Sequence, residues 1–258
     1  MGESILIGTD IYKNFGGLQA VSGVSFEVPA GRIFAIIGPN GAGKTTLFNL
    51  ISGVFRDYRG VILFCDEAID HRPPHVIAAK GIARTFQNVR LFKNLSVLEN
   101  VMVGCHGWLR PALWRTIFGL GAVRRQERAV ERWASEMLGF VGLEGRAGDE
   151  VGSLPLGEQK LVEIARALAA RPKLLLLDEP GAGLNDAEME KLKAIMFKVK
   201  EQGITQVVVE HNMNFIMSIS DRIMVLDLGV KIADGTPQEI LQDEKVIEVY
   251  LGRERHLA

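Results

Sequence analysis

Three short stretches carry residue types that could act together on a phosphate. "GPNGAGKTT", residues 38–46, has the spacing G-x-x-x-x-G-K-[ST], in which glycines let the backbone wrap an anion and turn its N–H groups inward. Gly38, Pro39, Asn40, Gly41, Ala42 and Gly43 would form that loop. Lys44 can reach the β and γ oxygens of a nucleotide, the Thr45 hydroxyl is a hard ligand for Mg2+, and Thr46 continues into a helical pattern. "LLLLDEP" ends an apolar run on Asp178, which suits a Mg2+ shell, and on Glu179, which is placed to polarise an attacking water. "VVVEH" ends on His211, whose ring can hydrogen-bond a γ-phosphate or simply be a half-buried histidine. Gln87, in "ARTFQNVRLF", can line a metal ion or its water, although a loop glutamine needs no such role. Together these groups fit phosphoryl transfer to water, in which positioning and charge neutralisation supply most of the catalysis.

A fourth stretch raises a question. "SLPLGEQK", residues 153–160, opens onto the helical "LVEIARALAA", and helix starts attract anions because their first N–H groups lack partners. The chain therefore holds a second candidate phosphate site far from the first, or else a plain helix start with no ligand.

The elements that would position these groups are legible from periodicity. "IFAIIG", "LLLLD" and "QVVVEH" are continuous or nearly continuous apolar runs, the pattern of strands buried on both faces of a parallel sheet. "VSGVSFEV" alternates, with Val24, Phe26 and Val28 on one face, as a half-exposed strand does. Between about residues 95 and 170 strand-like runs vanish, and "RRQERAVERWASEML" spaces Val130, Trp133, Met137 and Leu138 as the apolar stripe of a helix. That region is expected to be a helical insertion in an α/β domain. Its Trp108, Trp114 and Phe118 fit either an exposed contact patch or core packing, and Arg124, Arg125, Glu127 and Arg128 fit a solvated helix face. Near the end, Thr236, Pro237 and Glu239 have capping-box spacing.

Composition narrows the function classes. With 258 residues, 47% hydrophobic and 24% charged, the chain has the balance of one large α/β domain or two small ones. A formal net charge of −1 provides no field for nucleic acid, and none is expected as a partner. Cys65 and Cys105 lack metal-ligand spacing and are expected to be buried thiols. The acidic N-terminus has no signal-peptide pattern, and "PALWRTIFGLGAV" is too short to span a bilayer, so a soluble chain is expected. D-x-x-G occurs at Asp57, Asp149 and Asp178, but N-K-x-D is absent, which disfavours a guanine-specific switch.

In chain order the motifs resemble those of the nucleotide-binding subunits of ATP-binding-cassette (ABC) transporters, over nearly all of residues 5–252. The resemblance implies an α/β fold: a P-loop NTPase (RecA-like) core with an N-terminal antiparallel β subdomain and an inserted α-helical subdomain. Residues 1–94 would hold the β subdomain and the first part of the core, 95–170 the helical subdomain, and 171–258 the rest of the core and a C-terminal helix. It implies ATP and Mg2+, with Thr45, Gln87 and Asp178 around the metal. Lys44 becomes the P-loop lysine, Gln87 the Q-loop glutamine, Asp178 and Glu179 the Walker B pair, His211 the switch histidine, and Phe15 in "KNFGG" the aromatic that stacks on adenine. Leu154, Leu156, Gly157 and Glu158 fall in the signature loop, which in this family faces the γ-phosphate held by a second subunit. The second helix start would thus serve a neighbour's nucleotide. Where the family reads L-S-G-G-Q this chain reads L-P-L-G-E, so Pro155 removes a hydroxyl and a backbone N–H. The D-loop holds Asn185, followed by Asp186, in place of the commoner aspartate.

"LDEPGAGLN", "GTPQEI" and "VIEVYLG" are similar to stretches in the ATP-binding subunits of bacterial branched-chain amino acid importers. Lipopolysaccharide-export ATPases share the tail but match the Q-loop and signature less closely. Soluble cassettes of translation or DNA repair usually carry two fused cassettes or a long coiled coil, neither present here. The importer resemblance implies integral membrane permease subunits as partners, contacted by residues 89–103. It also implies a second ATPase subunit, a different chain in a heterodimer, with a homodimer open to the isolated chain, and indirectly a periplasmic solute-binding protein. The location would be peripheral, on the cytoplasmic face of the inner membrane.

Overall fold

A computed structural model describes residues 3–107 and 120–254; Trp108, Trp114 and Phe118 lie outside the described residues. The chain starts with two long strands, β1 (Ser4–Phe15) and β2 (Leu18–Pro29), followed by β3 (Ile33–Ile37), α1 (Lys44–Ile51), β4 (Arg59–Phe64), β5 (Glu67–Ala68), α2 (Pro74–Ala79) and β6 (Ile82–Arg84). Three helices come next: α3 (Val97–Gly104), α4 (Leu120–Phe140) and α5 (Leu156–Ala169). The remainder alternates: β7 (Leu174–Asp178), α6 (Asp186–Glu201), β8 (Thr205–Val209), α7 (Met213–Ile219), β9 (Arg222–Asp227), β10 (Val230–Gly235), α8 (Pro237–Gln242) and α9 (Glu244–Glu254). Among the described residues no helix is long and apolar enough to cross a membrane.

Two sheets result. One is antiparallel, in the order β2-β1-β4-β5; the other runs β10-β9-β3-β8-β7-β6, parallel except for its β10 edge. Every residue of β3, β7 and β8 is buried, as their unbroken apolar runs predict. Successive side chains alternate between two cores. Ile33, Ala35, Leu175, Leu177 and Val208 face helices α3 to α6, whereas Phe34, Ile36, Leu174, Leu176, Val207 and Val209 face α1 and the antiparallel sheet. Each of these larger side chains contributes about 1.5 to 3 kcal/mol by full burial. The sheet is therefore the middle layer between helices and a second sheet, and its C-terminal edge is fixed from both sides.

The helical stripe on α4 is centred slightly differently from its sequence reading. Val130, Ala134 and Leu138 are buried, as is Val141 just past the helix, while Trp133 and Met137 lie at the margin of the core. Trp133 sits there because its indole N–H donates to Ala169 O at 3.1 Å and the Arg171 guanidinium covers its ring at 4.4 Å. The capping box at Thr236 and Glu239 forms as its spacing predicts. Both cysteines are free thiols: Cys105 is buried, which pushes its thiol pKa up to about 11, but Cys65 is only half-buried, on a turn at φ 49°.

Candidate active site

The loop 38–46 leaves the end of β3 and enters α1 at Lys44. Gly38, Gly41 and Gly43 have φ of 149°, 82° and 100°, conformations that favour glycine. At Gly43 there is a second reason: an added Cβ would lie 2.5 Å from Ala20 O on β2. Lys44 is buried, and its ammonium donates to Gly38 O at 2.7 Å and Pro39 O at 3.0 Å, so it braces the loop from within. Burial lowers its pKa, against the opposing pull of Glu179 and Asp178. Asn40, Gly41 and Thr45 are exposed, Pro39 and Thr46 half-buried, and Ala42 buried.

Strand order places the other candidates alongside. β3, β8, β7 and β6 are consecutive and parallel, so the loop, His211, the Asp178–Glu179 pair and Gln87 all emerge from the same edge. Glu179 joins them: its Oε2 accepts from Gln87 Nε2 at 2.7 Å, and its Oε1 lies 2.5 Å from His211 Nε2. The turn that presents Glu179 is unusual, because this non-glycine residue has φ 49°. Such a left-handed conformation costs of order 1 to 3 kcal/mol and persists only where surrounding contacts enforce it. Here its N–H donates to Val209 O at 2.8 Å.

Asp178 is buried and paired with Arg84 at 2.8 Å. Arg84 also donates to Asn49 Oδ1 and Ser52 Oγ, both at 2.7 Å, which ties the end of β7 to α1. Besides the Glu179 carboxylate, this edge carries the Thr45 hydroxyl, the Gln87 amide and the Asp178 carboxylate as oxygen donors. No cluster of three His, Cys, Asp or Glu suited to a metal ion occurs among the described residues. That donor set fits Mg2+, which takes one or two carboxylates and completes its shell with phosphates and water.

Phe15 lies at the end of β1, half exposed, edge-on to Phe55 at 5.2 Å, with the Lys13 ammonium 4.8 Å from its ring. One face of its ring environment is thus already cationic. The segment 154–158 lies elsewhere on the chain. Leu154 is buried, Leu156 is exposed, and Pro155 is the N-cap of α5, with no side chain capping the helix start. Gly157 is buried against the Glu188 carboxylate, which would have to shift to admit a Cβ, and Glu158 pairs with Arg146 at 3.4 Å.

Asn185 has a local role that the sequence reading did not assign. It is the N-cap of α6, accepting from Glu188 N at 3.0 Å, while Glu188 Oε2 accepts from Asn185 N at 3.0 Å. Asn185→Ala should lower stability by about 1 kcal/mol, seen as a fall of roughly 2 to 4 °C in melting temperature. The signal was available in the N-x-x-E spacing. Arg84, Lys160 and Glu210 were also missed. Lys160 donates to Glu179 O and Pro180 O, and Glu210 Oε1 accepts from Gly181 N at 2.5 Å. Lys160 interrupts the otherwise apolar stripe of Gly157, Leu161, Ile164, Ala165 and Leu168 on α5, and a charge in such a stripe is a readable anomaly.

Known proteins are similar to this chain in sequence and fold. Residues 21–182 match the family model described as ABC transporter, and residues 230–256 match one described as branched-chain amino acid ATP-binding cassette transporter. The chain is 43% identical over 253 residues to the high-affinity branched-chain amino acid transport ATP-binding protein BraF of Pseudomonas aeruginosa, covering 98% of this chain and 99% of that one. It is 39% identical over 254 residues to the corresponding LivG of Escherichia coli, with the same coverage. Among solved structures it is similar to an ABC transporter cassette in its ADP conformation, with TM-score 0.84, 34% identity, and coverage of 97% of this chain and 99% of that one. It is also similar to a dimeric cassette in a post-hydrolysis state bound to ADP and Pi, with TM-score 0.76, 26% identity, and coverage of 90% and 98%.

Proposed function

This chain belongs to the ABC transporter family as an ATP-binding subunit, and from that premise we propose that it hydrolyses ATP to drive import of branched-chain or closely related amino acids. The observation that carries the catalytic part is the convergence of Gln87 and His211 on the Glu179 carboxylate, at one sheet edge with the Lys44 loop. In this reading Glu179 orients water and accepts its proton, and Gln87 and His211 fix the carboxylate. Lys44 and the loop N–H groups offset charge on the β and γ phosphates, and Phe15 stacks on adenine. Thr45, Gln87 and Asp178 would hold Mg2+, which when bound neutralises phosphate charge. Arg84 holds Asp178 in place for that purpose.

The helix start at Leu154, Leu156, Gly157 and Glu158 serves a nucleotide on a second ATPase subunit, which accounts for its separation from this chain's own loop. The likeness to a dimeric cassette supports such a pairing. The transport relatives support a membrane-partnered subunit, and on our reading it forms a heterodimer seated on permease subunits at the cytoplasmic face of the inner membrane, fed by a periplasmic solute-binding protein. The working division of the chain is 1–94, 95–170 and 171–258, with the signature loop carried on the helical segment.

The test is copurification with integral membrane subunits, then reconstitution and uptake. Steady-state phosphate release stimulated by leucine, isoleucine or valine with their binding protein is expected; release without any membrane partner, unaffected by any amino acid, would contradict the assignment. Pro155→Ser restores a hydroxyl and an N–H at the signature. It should preserve or raise phosphate release, and a large loss would show that the proline geometry is itself required.

A further inference from the structure

A buried lysine joins the signature helix to the turn that carries Glu179. Lys160 lies one turn inside α5 and is 6% exposed. Buried ammonium groups ordinarily end on a carboxylate. This one instead donates to two main-chain carbonyls, Glu179 O at 3.0 Å and Pro180 O at 3.1 Å. Burial lowers its pKa, opposed by the nearby charges of Glu210, Glu163 and Glu179.

The turn it grips is the one that needs gripping. Glu179 is held at φ 49°, and the backbone N–H bonds of this turn go to the end of β8 and the residue after it or stay within the turn itself. Glu179 N donates to Val209 O, Gly181 N to Glu210 Oε1, and Ala182 N to Glu179 O at 3.2 Å. The Lys160 bonds come from α5, whose first residues are Leu156 and Gly157. A displacement of that helix start would reach the Glu179–Pro180 backbone through one helical turn and two hydrogen bonds, one to each carbonyl.

We propose that Lys160 is a positioning residue that couples the signature end of α5 to the Glu179 carboxylate of the same chain, so that a phosphate seated on Leu156 and Gly157 by the partner's loop sets the reactivity of this chain's own site. This rests on Glu179 being the base and on the signature loop serving the partner. Lys160 touches no reacting atom; it acts through the Glu179 main chain. The link gives the two sites of the dimer a route for firing in concert, from the phosphate on the partner's loop through α5 to this chain's own base.

The test uses the full chain with its ATPase partner and permease. Turnover, KM, MgATP affinity and melting temperature are measured for Lys160→Met, Lys160→Gln and Lys160→Arg, for Glu179→Gln, and for Lys160→Met combined with Glu179→Gln. Lys160→Met should lose at least about 10-fold in kcat with KM and ATP affinity within about 3-fold, and Lys160→Arg should recover most of the loss. The double variant should be no slower than Glu179→Gln alone, because both act on one group. Parental kcat in a folded Met or Gln variant, beside a slow Glu179→Gln, overturns the role of Lys160 and leaves the Glu179 assignment standing. Losses that multiply in the double variant overturn it as well, since they place Lys160 on a separate path. Parental kcat in Glu179→Gln overturns the assignment of the base, and the proposal falls with it. Should the Met variant fail to fold, the Gln variant, whose uncharged amide is one bond shorter and cannot serve both carbonyls, decides the question.

Discussion

Glu179→Gln should slow ATP turnover by about 10² to 10⁴-fold while leaving ATP affinity within a few-fold of the parent. The amide keeps the size and most of the hydrogen bonding of the carboxylate, so the turn and its contacts survive, but it cannot accept a proton from water. The expected residue of activity comes from the Lys44 loop and the partner's helix start, which stabilise charge independently of the base. The neighbours sharpen the prediction. Gln87 and His211 both meet the carboxylate, at 2.7 and 2.5 Å, so removing either should cost less than removing the group they orient. Single-turnover and steady-state phosphate release, with binding of a fluorescent ATP analogue as control, measure both quantities. A parental rate would remove Glu179 from the mechanism.

Lys44→Met should act earlier, at binding. The ammonium is buried and braces the loop through Gly38 O and Pro39 O. Hydrogen bonds to charged groups contribute about 1.5 to 3 kcal/mol each, which corresponds to roughly 10- to 150-fold in affinity for each one lost to the phosphates. Methionine fills the volume but offers no donor, so nucleotide affinity should fall by at least about 10-fold and turnover should become undetectable. Calorimetric titration with ATP reads the first effect directly. Parental affinity would mean that the loop binds through its backbone alone.

The two predictions draw on parts of the molecule that were unequally legible. β3, β7 and β8 announce themselves because a strand buried on both faces needs an unbroken apolar run. The groups at their ends are equally plain, since the spacing of a phosphate loop and an acidic pair at a strand terminus follow from local geometry. β6 has only three residues, too few for any period to show, and so the strand that delivers Arg84 and leads to Gln87 was invisible.

What holds the chemical groups was less legible than the groups themselves. Arg84 meets Asp178 across 94 positions of sequence, and no local pattern encodes such a contact. Lys160 and Asn185 are different, because each carried a signal that competed with a louder one. The apolar stripe of α5 directs attention to its aliphatic members and away from the lysine among them. The resemblance at Asn185 directs attention to a partner's loop and away from the capping box it forms with Glu188.

The most direct measurement asks whether two chains close around one nucleotide. Ser153 beside the signature loop and Asn40 in the phosphate loop are both exposed, and cysteines placed there, with Cys65 replaced by Ser, report their approach across an interface. In the Glu179→Gln background, for the isolated chain and for the complex with its partner ATPase subunit, ATP should produce a disulfide between separate chains that is absent without nucleotide. Failure of that bond to form in either preparation with ATP present would contradict the shared site.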